Sequence, residues 1–180
     1  MGAIVVCGEG RCGTSLMMQT LKLLGVPVSA PPFIKEHKGL EEFNPKGYYE
    51  LSETVNGIKD DSYNGKAVKL FANGLKHTED KYIGKIIRMK RNRIDACISY
   101  EKIKNKAETT GLTAFEIYDI NCSFLDKYFV SRNVLIINFD AILENPLEEI
   151  EKVVDYLDIY PSLSQIKEAY LNVNIITKLK

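Results

Sequence analysis

The sequence predicts a three-layer α/β domain around a mainly parallel β-sheet. Three observations predict it. Short β-rich runs alternate with longer helix-patterned segments along the chain. At the start, a strand, a glycine turn and a helix follow one another directly. No repeat, low-complexity run or linker interrupts the 180 residues, so residues 1–180 are read as a single domain.

Each element has its own warrant. "AIVVC" (3–7) is continuously apolar, β-branched and stopped by glycine, which predicts a buried strand. "TSLMMQTLKLLG" (14–25) sets Leu16, Met17, Thr20, Leu21 and Leu24 at helical spacing, with Gly25 as the stop. Residues 27–48 hold Pro27, Pro31, Pro32, Gly39, Pro45 and Gly47 and keep no period, so they form a long loop, usually functional in a compact domain. "ELSETVNGIKDD" (50–61) predicts a short helix, and "KAVKLF" (66–71) and "GKIIRM" (84–89) two more strands. "RIDACISYEKIKNKA" (93–107) predicts a helix with Ile94, Cys97 and Ile98 on one face. "TAFEIYDINCSFLDKYF" (113–129) predicts another, with Phe115, Tyr118, Ile120, Cys122 and Leu125 among its apolar positions. "NVLIINF" (133–139) is the last strand. In "NPLEEIEKVVDYL" (145–157), Asn145 is the expected N-cap, Pro146 the first helical residue and Glu148 the partner in a capping-box-like pattern. Ile150, Val153, Val154 and Leu157 give that helix one apolar face.

Composition excludes several function classes. Lys+Arg and Asp+Glu balance at 24 each, so no nucleic-acid partner is expected and any basic site is local. The apolar runs are strand-sized, far short of a membrane span, and residues 1–25 carry no signal-peptide pattern. Cys7, Cys12, Cys97 and Cys122 show no C-x-x-C pairing, and only His37 and His77 could assist them. Neither a metal site nor a disulfide scaffold is expected, and the thiols read as reduced cytoplasmic ones. Cys7 and Arg11 are too close for the loop of a cysteine phosphatase.

The chemistry concentrates in two stretches. "VVCGEGRCGTSLMM" places Gly8, Gly13 and Ser15 where a nucleotide-binding P-loop has its glycines and hydroxyl, but Thr14 replaces the lysine. Amide groups of Gly10, Arg11, Cys12 and Gly13, the hydroxyls of Thr14 and Ser15, and a helix N-terminus surround one point and favour an anion there. The cation has moved to Arg11, and no convincing Walker-B acid follows the later strands; Asp140 is assigned to the start of the next segment. In "RMKRNRIDACISY", Arg91 stands at a strand end and Ser99 eight residues on, about the second helical turn. An arginine fork and a serine can share a second phosphate there; the alternative is a solvated basic edge.

These stretches resemble sulfotransferases that use 3′-phosphoadenosine 5′-phosphosulfate (PAPS). "GEGRCGTSLMMQTLKLLG" resembles their 5′-phosphosulfate loop, and "RNRIDACISY" their 3′-phosphate segment, with Arg91 and Ser99 at the family's spacing. "FNPKGYYE" (43–50) looks like a stretch common in bacterial members, and "INFDAILENPLEEIEKVVDYLDI" is similar to a later strand and helix of the family. The resemblance covers most of residues 3–158. It implies a P-loop kinase-like fold and sulfuryl transfer from PAPS to a hydroxyl or amine of a small-molecule or glycan acceptor. It also explains the missing lysine, since charge builds on a departing 5′-phosphate oxygen rather than on a metal-bound triphosphate.

The resemblance further implies a place near the sulfuryl group for Lys69, whose alternative is an edge-strand guard against aggregation. Phe71 stands where cytosolic members have their histidine base. Glu50, His37 and His77 are the remaining candidate bases, and Glu50 could equally be an N-terminal charge on the following helix. Tyr48, Tyr49 and Tyr100 are candidates for an acceptor or adenine pocket. The C-terminal stretch lacks the Arg-Lys-Gly segment by which cytosolic members close over the 3′-phosphate. A nucleotide-binding protein without catalysis and an ATP-dependent P-loop phosphotransferase therefore stay open beside the sulfotransferase.

Overall fold

The computed structural model describes residues 2–33, 38, 44–51, 55–104 and 111–178. Among these, four strands form one sheet: β1 (Ala3–Gly8), β2 (Ala67–Lys69), β3 (Ile83–Lys90) and β4 (Leu135–Asn138). The order is β2-β1-β3-β4 and every pairing is parallel, with Val5 opposite both Val68 and Ile86. The two-residue alternation of a strand feeds both faces of this sheet. Ala3, Val5 and Cys7 pack with Val68, Ile86 and Leu125 on one side, whereas Val6 joins Ile87, Met89 and Ile137 on the other.

Seven α-helices are described: α1 (Thr14–Leu23), α2 (Ala72–Lys76), α3 (Arg93–Lys104), α4 (Ala114–Tyr128), α5 (Phe139–Glu144), α6 (Pro146–Leu157) and α7 (Leu163–Lys178). Side chains from α1, α5, α6 and α7 cover one face, and α2 and α4 contribute to the other. This is the expected three-layer α/β arrangement. In α1 the predicted stripe of Leu16, Met17, Thr20, Leu21 and Leu24 is buried throughout, and the Thr20 hydroxyl donates to the Leu16 carbonyl at 3.0 Å. α4 starts with a capping box: Thr113 Oγ1 accepts from the Glu116 N–H, and the Glu116 carboxylate accepts from the Thr113 N–H.

Several expectations are corrected. No α-helix occurs among the described residues of 50–61; Gly57 has φ 78° and its α-carbon backs onto the His77 carbonyl. The strand expected over 133–139 ends at Asn138, whose side-chain oxygen accepts from the Asp140 N–H at 2.8 Å and turns Phe139 into α5. Asp140 thus lies in the next segment, as expected. α2 and α7 were not anticipated. α3 buries Ala96 and Cys97, whereas Ile94 and Ile98 are 58% and 51% exposed. Residues 105–107 of that expected helix lie outside the described residues. α6 has Pro146 in its first turn, but Asn145 makes no side-chain cap and Glu148 pairs with Lys152 instead. Of its predicted face, Ile150, Val153 and Leu157 are buried, each worth about 1.5–3 kcal/mol, and Val154 is partly buried. Among the described residues no helix is long and apolar enough to cross a membrane.

Candidate active site

The turn after β1 is held from behind by a buried ion pair. Glu9, fully buried, meets the Arg88 guanidinium of neighbouring β3 and accepts from the Cys12 thiol at 3.6 Å. The other arm of Arg88 reaches Asp126 of α4 at 2.6 Å. Burial pulls Arg88 down, but its hydrogen bonds to Glu9 and Asp126 raise it above its ordinary value, so it stays charged. Charges this deep are tolerated only when paired. In front, Arg11 has φ 67° and Gly13 has φ 90°. A Cβ at Gly13 would lie 2.3 Å from the Phe139 ring, so glycine is required on two counts. Gly13 is also the N-cap of α1, with no side chain capping the helix.

A cavity of about 240 Å³ opens over this helix end. Gly10, Arg11, Gly13, Thr14, Ser15, Glu50, Lys69 and Arg91 all line it, with Tyr48, Tyr100, Phe71 and Phe139. Arg11 Nε donates to Ser99 Oγ at 3.1 Å, and Arg91 Nη1 donates to the Arg11 carbonyl at 3.3 Å. The two stretches singled out in the sequence therefore touch. The Arg91 guanidinium lies 4.5 Å from the Phe139 ring centroid, and its Nε is buried with no hydrogen-bond partner among the described residues.

Lys69 ends β2 on the opposite wall. It sits on an edge strand but is buried, so it is no aggregation guard. Its ammonium donates to Ser15 Oγ at 3.0 Å, the Tyr48 carbonyl at 3.1 Å and Glu50 Oε1 at 2.6 Å. Burial first, then nearby Arg11, holds Lys69 below its ordinary value, with Glu50 opposing. Burial likewise lowers Arg11, with Tyr48 acting against it and Arg91 adding to it. Arg11, Lys69 and Arg91 thus face a single lining carboxylate, Glu50, among the described residues. An anion entering this cavity relieves the strain of like charges.

Other candidates fall elsewhere. The Cys12 thiol is buried against Glu9 and its N–H donates to the Glu9 carbonyl at 3.2 Å, so it does not line the cavity. Tyr49 turns into the core at φ 55°. His77 is exposed at the end of α2, away from the cavity. His37 lies outside the described residues. Sequence reasoning missed Glu9, Phe139 and Gln19, and it placed Arg88 only in the basic cluster with Lys90, Arg91 and Arg93, not opposite Glu9. An acidic residue between two glycines, and an arginine interrupting "KIIRM", were the available signals for the Glu9–Arg88 pair. Among the described residues no group of three or more His, Cys, Asp or Glu side chains could hold a metal ion.

No family model matches the chain, and no curated protein matches it in sequence. Solved structures do. The chain superposes on mouse sulfotransferase SULT7A1 complexed with PAP at a TM-score of 0.59 and 12% identity, covering 98% of this chain and 65% of that one. On retinol dehydratase, in complex with androsterone and inactive cofactor PAP, the TM-score is 0.55 at 13% identity, covering 97% and 65%. The chain has the sulfotransferase fold. It spans 65% of the length of both of those structures. Within this shared fold, the cavity lies where β1 gives way to α1.

Proposed function

We propose that the chain is a cytoplasmic, PAPS-dependent sulfotransferase acting on a hydroxyl or amine of a small-molecule or glycan acceptor, without a nucleic-acid partner. The 3.1 Å contact between Arg11 and Ser99 carries this reading, because it joins two anion-seeking stretches at one cavity. The residues fit the cofactor: the orphaned Arg91 Nε, the uncapped start of α1 and the glycine at position 13 suit a close-bound polyanion.

PAPS, when bound, supplies the sulfuryl group. Gly10, Arg11, Gly13, Thr14, Ser15 and the start of α1 would hold its 5′ end, with Arg11 balancing charge that builds on the departing phosphate. Arg91 and Ser99 hold the 3′-phosphate, a remote contact that contributes binding energy and tells PAPS from ATP. Lys69 would stand beside the transferred group. The Glu50 carboxylate, whose Oε1 is held by Lys69, would take the acceptor's proton, since the residue borders both Lys69 and the open cavity.

Calorimetry with 3′,5′-ADP and with 5′-AMP tests the cofactor assignment. The expected result is binding of 3′,5′-ADP and at least about tenfold weaker binding of 5′-AMP, the size of one charge-assisted contact. Release of 3′,5′-ADP from PAPS against a panel of hydroxyl and amine acceptors tests turnover. Magnesium-dependent ATP turnover with no response to PAPS would replace this reading with a phosphotransferase.

A further inference from the structure

Asn172 of α7 is a buried amide, 8% exposed, on a helix otherwise docked by Ala169 and Val173. Its oxygen accepts from Lys46 Nζ at 2.6 Å, and its Nδ2 donates to Gln19 Oε1 at 3.4 Å. Gln19 Nε2 in turn donates to the Gly47 carbonyl at 3.3 Å and to Asn44 Oδ1 at 3.4 Å, and Asn44 Nδ2 donates to the same Gly47 carbonyl at 2.6 Å. One amide thus grips the segment 44–50 twice, directly at Lys46 and through Gln19.

That segment matters because of what it delivers. An ammonium has three N–H donors, and on Lys69 all three are occupied. Two of the three acceptors, the Tyr48 carbonyl and the Glu50 carboxylate, come from residues 48–50. The segment contains no helix or strand to hold it. Its further anchors include the Tyr48 and Tyr49 N–H groups on the Pro32 carbonyl, the Ser15 hydroxyl donating to the Tyr48 carbonyl at 3.3 Å, and the tight approach of Gly47, φ 101°, to Pro32.

We propose that Asn172 is a positioning residue, which through Lys46 and Gln19 holds segment 44–50 so that Glu50 and the Tyr48 carbonyl meet Lys69. That the Lys69–Glu50 pair serves sulfuryl transfer rests on the function proposed above; that Asn172 positions the pair does not.

The test needs no acceptor. Acylation of Lys69 by acetic anhydride is followed by peptide mass spectrometry on the full chain, as a ratio to exposed Lys66. Asn172→Ala is expected to speed Lys69 labelling about tenfold, the effect of one buried hydrogen bond on a local opening. Asn172→Asp keeps the acceptor for Lys46 but loses the donor to Gln19, so it should fall between; it carries the test if the alanine variant does not fold. Val173→Ala, which loosens the same helix but leaves the amide, should speed Lys69 labelling clearly less than Asn172→Ala. Unchanged labelling in the Asn172 variants overturns the proposal, as does equal acceleration by Val173→Ala, which would assign the effect to helix docking. Titration of the same proteins with 3′,5′-ADP separates the two ideas: absent binding by wild type removes the sulfotransferase reading and leaves the labelling result standing.

Discussion

Lys69 Nζ and Glu50 Oε1 meet at 2.6 Å, with the lysine side chain 3% exposed and the glutamate 27%. The carboxylate is the only charged partner recorded for that ammonium among the described residues. Glu50→Gln should therefore destabilise the fold by about 1–3 kcal/mol at pH 7, the penalty for an uncompensated buried charge. The pH dependence has a defined sign. The folded ammonium is already held below its ordinary value by burial, and losing Glu50 lowers it further. Between the folded and unfolded values the unfolded chain binds more protons, so stability rises with pH there. The deficit of the variant should shrink as pH climbs towards 10, which urea denaturation from pH 7 to 10 would check; a deficit constant with pH contradicts it.

The turn glycines should respond unequally. Gly13→Ala puts a Cβ 2.3 Å from the Phe139 ring at φ 90°, and a loss of about 1–3 kcal/mol is expected. Phe139 also carries the Arg91 guanidinium, so 3′,5′-ADP affinity should fall in the same variant. Gly10→Ala meets only Tyr100 at 3.6 Å, an ordinary contact, and should be close to neutral in thermal melting.

Affinity for 3′,5′-ADP should rank the cavity cations. Arg11→Ala and Arg91→Ala should each cost about 1.5–3 kcal/mol, and Ser99→Ala about 0.5–1.5 kcal/mol, by calorimetry. Wild-type affinity in both arginine variants would remove the site assignment.

Acid should act through Asp126. Its hydrogen bond from Arg88, opposed by partial desolvation, holds this carboxyl below its ordinary value. The stabilisation it contributes is complete above the unfolded value, near pH 4, and is lost as pH falls through the folded one. Asp126→Asn should melt lower than wild type at pH 7, and the gap should close towards pH 3.

The sequence made the first strand, glycine turn and helix legible because β-branched run, glycines and helical stripe agree at each level. The nearness of the two stretches was legible because both leave the ends of strands in one parallel sheet, where β1 and β3 prove to be neighbours. α7 was not, since Ala169 and Tyr170 dilute its apolar face and Asn172 interrupts it. Nor was the inward side of α3, where small Ala96 and Cys97 are buried and the larger Ile94 and Ile98 are left outside. Hydrophobic size misleads when a helix must pack close to a turn. Glu9 was passed over for a related reason: a carboxylate beside glycines reads as solvated until its arginine, 79 residues away, is placed opposite it.

β1 has a hydrogen-bonded neighbour on each side, and Val5, Val6 and Cys7 are wholly enclosed. The turn at its end is consequently moored to a fully enclosed strand and locked from the rear by Glu9 and Arg88. Its ordering entropy is met during folding rather than at ligand capture. Docking of a polyanion there should proceed without a slow rearrangement step, at a rate governed by electrostatic attraction and therefore steeply dependent on ionic strength.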